Sequence, residues 1–219
     1  MDDTRSPSRR RVLKWTGVAG ATIAIGSVAL PNFGISAALG ADLGQGDTGI
    51  LNYAYALEQL EAAFYTMVVD QPYDGITDDE TAMLTDIRDH EVAHRDFLSD
   101  ALGDDAIPDL EVDFSDVDFS SRDSVLQTAM TFEDIGVSAY NGAGKLLENA
   151  DFLAAAGRIV SVEARHSAAI RDLVNMNSVA FAGPDVVDEN GLDVVRAPGD
   201  VLPLVDPYVT TEVTANSLV

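Results

Sequence analysis

An all-α, antiparallel four-helix bundle is the fold class this sequence predicts, and three observations predict it. Apolar residues recur at alternating steps of three and four from about residue 47 to residue 176, and no strand pattern competes there. The segments joining the first run to the second and the third to the fourth are short, which makes each pair an antiparallel hairpin. Residues 103–121 are different: carrying Pro108 and many acids, they reach about 60 Å when extended, enough to cross the length of a bundle.

The chain begins with a segment of another kind. Arg5, Arg9, Arg10, Arg11 and Lys14 are five of the 13 cations, with only Asp2 and Asp3 of the acids near them. Ser8-Arg9-Arg10-Arg11-Val12-Leu13-Lys14 precedes a weakly apolar run from Trp15 to Leu30 that stops at Pro31. This resembles a twin-arginine signal, the address for export of a folded protein, and implies the twin-arginine machinery as a partner. The run is 16 residues long and holds three glycines, short of the roughly 20 apolar residues a membrane span needs. Cleavage at Ala37, Ala38, Gly40 or Ala41, or retention as an anchor, both stay open. Residues 1–41 are therefore read as the signal, 42–176 as the bundle and 177–219 as a tail, with the protein outside the cell or on the outer face of its membrane.

The first helix, about Asp47 to Val69, carries the stripe Leu51, Tyr55, Glu58, Ala62, Tyr65. The second, about Asp78 to Leu102, starts at a Thr77–Glu80 capping box and carries Leu84, Ile87, Glu91, His94, Leu98. The third, about Arg122 to Asn149, gives Leu126, Ala129, Glu133, Gly136, Tyr140, Gly144, Leu147. The fourth, about Asp151 to Asn175 with Asp151 as its cap, gives Phe152, Ala156, Ile159, Glu163, His166, Ile170, Leu173. Beyond Asn175 the period is lost: loops, a short hairpin around residues 186–195 and a short helix from Asp200 to Val209 are expected, packed on the bundle or at a subunit interface. A homo-oligomer stays open.

Composition excludes several function classes. The chain has 219 residues, 37 acids, 13 Lys and Arg and no cysteine, so disulfides, thiolate metal sites and thiol catalysis are out. A net charge of -24 repels phosphate backbones, which argues against nucleic-acid binding. After residue 41 there remain 8 cations and 35 acids, with Lys145 the only lysine, a composition resembling proteins of extreme halophiles.

Inside the stripes lies an anomaly. Each helix places a glutamate where the core should be, and two place a histidine one turn later, with no Lys or Arg on any stripe to pair with them. Buried, unpaired carboxylates are costly, and a shared metal compensates them. Glu91-Val92-Ala93-His94 and Glu163-Ala164-Arg165-His166 are both Glu-x-x-His, whose two side chains share a helix face. Glu58 and Glu133 each have a tyrosine seven residues on, Tyr65 and Tyr140. Helix rise puts Glu58 within about 3 Å of the level of Glu91, against about 7–8 Å for Glu61, which is kept as the reserve ligand. Glu58, Glu91, His94, Glu133, Glu163 and His166 are thus the candidate ligands. A Glu from each of two helices and Glu-x-x-His from the other two is the set that binds two ions in di-iron and di-manganese bundles.

These motifs carry a resemblance. Leu57-Glu58-Gln59-Leu60-Glu61-Ala62-Ala63-Phe64-Tyr65, Glu91-Val92-Ala93-His94, Glu133-Asp134-Ile135-Gly136-Val137 with Ala139-Tyr140, and Val162-Glu163-Ala164-Arg165-His166 resemble the ferritin-like superfamily over residues 47–176. The likeness is greater to its exported branch, often labelled ferritin-like or desiccation-related proteins. It implies a ferritin-like bundle with a dinuclear centre, two ions of Fe or Mn, but names no reaction. Ferrous-iron oxidation and peroxide disproportionation both fit carboxylate and imidazole ligands, with metal ions or a small oxidant as the partners. Tyr65 and Tyr140 are the candidate catalytic residues, as donors to a ligand or redox relays, or else plain core residues with a bonded hydroxyl. Two further readings compete. His90-Glu91-Val92-Ala93-His94 matches His-Glu-x-x-His, the zinc-hydrolase motif. A metal-free structural or stress-related bundle is the other, at the expense of a core full of carboxylates.

Overall fold

Helix α1 (Gly46–Asp70) leads into α2 (Asp78–Leu102) through a seven-residue turn, and α3 (Arg122–Ala143) leads into α4 (Ala150–Val174) through residues 144–149. The computed structural model describes residues 40–176, 178–215 and 218. The basic stretch and apolar run read as an export signal lie outside the described residues. Helix α1 packs chiefly on α2 and α3 on α4, as two short-looped hairpins must, and residues 103–121 cross between them. The expected all-α bundle with one long crossover is the observed architecture. Among the described residues, no helix is long and apolar enough to cross a membrane.

The capping box forms as the sequence predicts. Thr77 accepts the Glu80 N–H while the Glu80 carboxylate accepts the Thr77 N–H, and Arg122 on α3 pairs with the same carboxylate at 2.7 Å. Two boundaries differ from expectation. The third helix ends at Ala143, because Gly144–Leu146 tighten into a 3₁₀ turn and the Asp47 carboxylate accepts the N–H groups of Glu148 and Asn149. Asn149, and not Asp151, caps the fourth: its side chain accepts the N–H of Asp151 and Phe152. An amide oxygen one residue before the helix can reach those donors, whereas Asp151 is already inside the first turn.

Helix α1 is buried on all sides from Gly49 to Ala62, although its stripe predicts only one inward face. The crossover covers the other side. Asn52 donates to the carbonyls of Leu43 and Asp105 and accepts the Ile107 N–H, and Gln59 accepts the Leu110 N–H. Residues 105–110 therefore run alongside 52–59, with both ends of the Asn52 amide and the Gln59 carbonyl oxygen matched to backbone partners.

The tail packs on the bundle. A short helix, α5 (Pro198–Val205), followed by a 3₁₀ turn, replaces the expected helix from Asp200 to Val209; Pro198 suits its first position, where no N–H is needed. Strand β1 (Ala41–Asp42) pairs in parallel with β2 (Val213–Thr214), so Ala41 already belongs to the folded body. Val187 and Asp193 form the bridge of the expected hairpin. Arg196 lies across α3, its N–H on the Ser138 carbonyl and its guanidinium on the Ser138 hydroxyl. Gly142 permits that approach: a Cβ there would stand 1.7 Å from the Arg196 carbonyl oxygen. Gly142→Ala is therefore expected to lift the tail and cost roughly 1–3 kcal/mol. Urea denaturation measures the loss, and limited proteolysis should cut first between residues 183 and 199.

Candidate metal centre

The heptad-spaced stripes bring Glu58 from α1, Glu91 and His94 from α2, Glu133 from α3, and Glu163 and His166 from α4 to one level of the bundle. The four glutamates are wholly buried. They converge as two groups of four. Glu58, Glu91, His94 and Glu163 each offer an atom within 4.8 Å of the others, and so do Glu91, Glu133, Glu163 and His166. Glu91 and Glu163, the acids of the two Glu-x-x-His motifs, belong to both.

The two shared carboxylates divide their oxygens. His94 Nδ1 lies 2.8 Å from Glu163 Oε1, 3.4 Å from Glu58 Oε2 and 3.7 Å from Glu91 Oε2. His166 Nδ1 lies 2.7 Å from Glu91 Oε1, and 3.7 Å from both Glu133 Oε2 and Glu163 Oε2. Each of Glu91 and Glu163 thus turns one oxygen to each histidine. None of these facing atoms, on any of the six residues, has an aligned hydrogen-bond partner. Buried polar atoms in native proteins are nearly always satisfied, so a cluster of orphans aimed at two common points fits a pair of cations. Carboxylate oxygen with imidazole nitrogen is a donor set suited to Fe or Mn.

Tyr65 and Tyr140 are brought to this centre, crosswise. Tyr65 on α1 donates to Glu133 Oε1 on α3, and Tyr140 on α3 donates to Glu58 Oε1 on α1, both at 2.5 Å. Each tyrosine occupies the outer oxygen of a terminal carboxylate and leaves the other facing the site. Sequence offsets associate each tyrosine with the glutamate of its own helix; seven residues are about 10 Å of rise, too far for that contact. Both hydroxyls are pushed above the ordinary tyrosine range by burial and by the carboxylate each one bonds. Each hydroxyl meets the cluster through a glutamate and holds that carboxylate in its orientation.

His90 belongs to neither group. Its Nδ1 lies 3.0 Å from His166 Nε2, and the two rings meet edge to edge with centroids 5.2 Å apart and planes 10° from parallel. The contact ties the His90 ring to the side of His166 that faces away from the carboxylates. The sequence shows His90 only as part of His-Glu-x-x-His; its partner is on another helix. Glu61, the reserve ligand, is buried but joins neither group. A Cβ on Gly136 would stand 3.0 Å from Glu61 Oε1, so that glycine makes room for the carboxylate.

Without cations the charges oppose each other. Burial, with repulsion from neighbouring glutamates, pushes Glu58, Glu61 and Glu133 well above the usual carboxylate range. Burial also opposes ionisation of Glu91, yet the His166 and His94 imidazoles hold it down to about 2. Against their own burial, the carboxylates raise His94 to about 12 and His166 to about 10. Groups with a raised folded-state pKa stabilise most below their unfolded value and lose that contribution as pH climbs toward the folded one. For the three glutamates the loss starts near 4.5, and for the histidines near 6.5. Glu91 acts oppositely, but only in the acid range below 4.5. The melting temperature of the chelated protein is therefore expected to fall steadily from about pH 5 to about pH 9. The metal-loaded protein should resist that fall, because ions bind the deprotonated ligands. Differential scanning calorimetry across that range compares the two.

The comparisons with known proteins agree with this geometry. No curated protein matches the chain. The sequence model of the ferritin-like domain family matches residues 46–176, from the start of α1 to just past the end of α4, and contains all six converging residues. That match spans more than half of the 219 residues, and the chain belongs to the ferritin-like domain family.

Proposed function

We propose that this protein is an exported di-metal carboxylate protein that holds two ions of Fe or Mn and uses them in oxidation or in handling peroxide. The observation that carries the reading is the division of the Glu91 and Glu163 oxygens between two ligand groups, which a single ion would not need. Two such ions, when bound, supply one-electron changes that carboxylate bridges let them share. The chain's own residues do the rest. Glu58 with His94 and Glu133 with His166 would be the terminal ligands of the two positions, and Tyr140 and Tyr65 keep the terminal carboxylates turned inward. Burial of the four glutamates excludes bulk water and strengthens each electrostatic contact. Solvent reaches the centre at His94, below an opening of about 310 Å³ between α2 and α4 that Phe97, Arg158 and Val162 line.

Export is supported by the twin-arginine-like segment and suits a protein that loads metal as it folds. The acid surplus after residue 41 supports a surface that stays hydrated in concentrated salt, as in a halophile. The test of function is to load the protein anaerobically with ferrous or manganous ion, then follow oxygen uptake and hydrogen peroxide breakdown. Oxygen uptake with iron alone assigns oxidation, and oxygen release from peroxide with manganese assigns disproportionation. Neither activity in a protein that retains its metal would defeat the catalytic part of this reading.

A further inference from the structure

We propose that the opening at His94 binds a small carboxylic acid with an apolar body, the substrate class of the proposed oxidation. That role rests on the di-metal reading, whereas the binding itself does not. The opening measures about 310 Å³, at the lower end of pockets that hold small ligands. His94 and Phe97 line it from α2, and Ala155, Arg158, Ile159 and Val162 from α4. No acid is among these six residues, although 35 acids follow residue 41. Arg88, Arg95, Arg122 and Arg171 each pair with a carboxylate, but among the described residues Arg158 has no such partner. Its own helix offers none: between Asp151 and Asp172 the one acid of α4 is Glu163, wholly buried at the centre. Asp96, the acid beside Phe97 in sequence, is held by Arg95 at 2.7 Å.

An internal repeat shows that this arrangement belongs to one side of the centre. The step of 72 residues that carries Glu91 to Glu163 and His94 to His166 also relates their surroundings. It carries His90 to Val162, Asp86 to Arg158, Ile87 to Ile159 and Phe97 to Ala169. At His166 the imidazole of His90 fills the place that Val162 leaves open at His94. Asp86 stands there in place of Arg158, near enough for its charge to act on His90. Exposure follows: 13% of the His94 side chain against 5% of the His166 side chain. One histidine is thus covered and flanked by an acid, while the other is open and flanked by a cation. A cation at the open side attracts an anion and repels free metal ions.

Size and chemistry select the kind of anion. An arginine fork matches a carboxylate with two parallel N–H donors. Phe97, Ala155, Ile159 and Val162 offer carbon surface, against which a phosphate or sulfate loses water and gains no partner. An apolar body gains free energy on the same surface. Phe97, Ala155 and Ile159 are shared with a narrower apolar space whose wall includes Tyr53, a buried tyrosine with no partner for its hydroxyl. The bound acid therefore keeps its carboxylate at Arg158 on the rim and turns its carbon end inward, against Phe97 and Ile159.

Isothermal titration of the full chain with benzoate, its neutral analogue benzamide and inorganic phosphate tests the site, in chelated and in metal-loaded protein. One benzoate per chain is expected, bound roughly tenfold or more tighter than benzamide and not displaced by phosphate. Arg158→Gln should reduce benzoate to the level of benzamide, and Arg158→Lys should recover part of the difference. From acetate to hexanoate, each added CH₂ should tighten binding about two- to fourfold. Metal loading should strengthen binding, because the ions offset the glutamate charge behind His94. Equal affinity for benzoate and benzamide, displacement by phosphate, or binding unchanged in Arg158→Gln would each overturn the proposal. Loss of binding on metal loading would overturn the substrate role. Elemental analysis of the same samples keeps the two readings apart: benzoate held through Arg158 by a protein that takes up no ion would uphold the site and contradict the di-metal reading.

Discussion

Glu91→Ala is expected to lose both metal ions, whereas Glu58→Ala is expected to keep one of them. The difference follows from the division of oxygens: Glu91 faces His94 with Oε2 and His166 with Oε1, while Glu58 faces the His94 group alone. Removing a terminal ligand leaves the other group of four intact. Removing a bridge takes one donor from each and leaves both histidines short of the carboxylate that holds their nitrogens in place. The loss of affinity should exceed the roughly 10–100-fold that loss of an outer-shell partner costs. Elemental analysis of the dialysed variants gives the answer, with circular dichroism confirming that each remains helical. His166→Ala should behave like Glu58→Ala, because it too belongs to one group. Equal metal content in Glu58→Ala and Glu91→Ala would show that the carboxylates do not bridge.

Chelation should produce the largest change in stability. Among the described residues, the four wholly buried glutamates have two histidines as basic partners at the centre, and Tyr65 and Tyr140 add a neutral donor each. A ligand that binds only the folded state at a hundred times its dissociation constant adds about 2.7 kcal/mol, so two such ions add about 5 kcal/mol. For a domain of this size each kcal/mol moves the melting temperature by about 2–4 °C, and stripping both ions should lower it by roughly 10–20 °C. Restoring Fe or Mn should recover the shift, while Ca, which prefers more and harder oxygen ligands, should not. A melting temperature indifferent to chelator would favour a bundle that never depended on metal.

Much of this was legible in the sequence because two strong physical signals coincide. The helical period assigns residues to the core, and carboxylates are too costly in a core to be there by accident; together they single out Glu58, Glu91, Glu133 and Glu163 before any coordinates. The i, i+3 spacing adds His94 and His166, and helix rise prefers Glu58 to Glu61. All six converge. What could not be read are contacts between helices that share no sequence offset. The crossing of Tyr65 to Glu133 and Tyr140 to Glu58 depends on how α1 faces α3. The same holds for His90 on His166 and for Glu61 against Gly136. Burial of the outer side of α1 depends on a crossover whose own sequence has no period, and the tail's course shows only in Gly142, a glycine inside a helix for no local reason. Residue type and period specify the site's contents; rotation of one helix against another specifies who holds whom.

Under the proposed di-metal function the chain binds two ions at once through shared carboxylates. Anomalous X-ray diffraction, with data on either side of the iron and manganese edges, tests it most directly on protein crystallised at neutral pH after reconstitution. Two anomalous peaks are expected, one among Glu58, Glu91, His94 and Glu163 and the other among Glu91, Glu133, Glu163 and His166. A single peak, a peak at His90 with His94, or no peak within the bundle would contradict it.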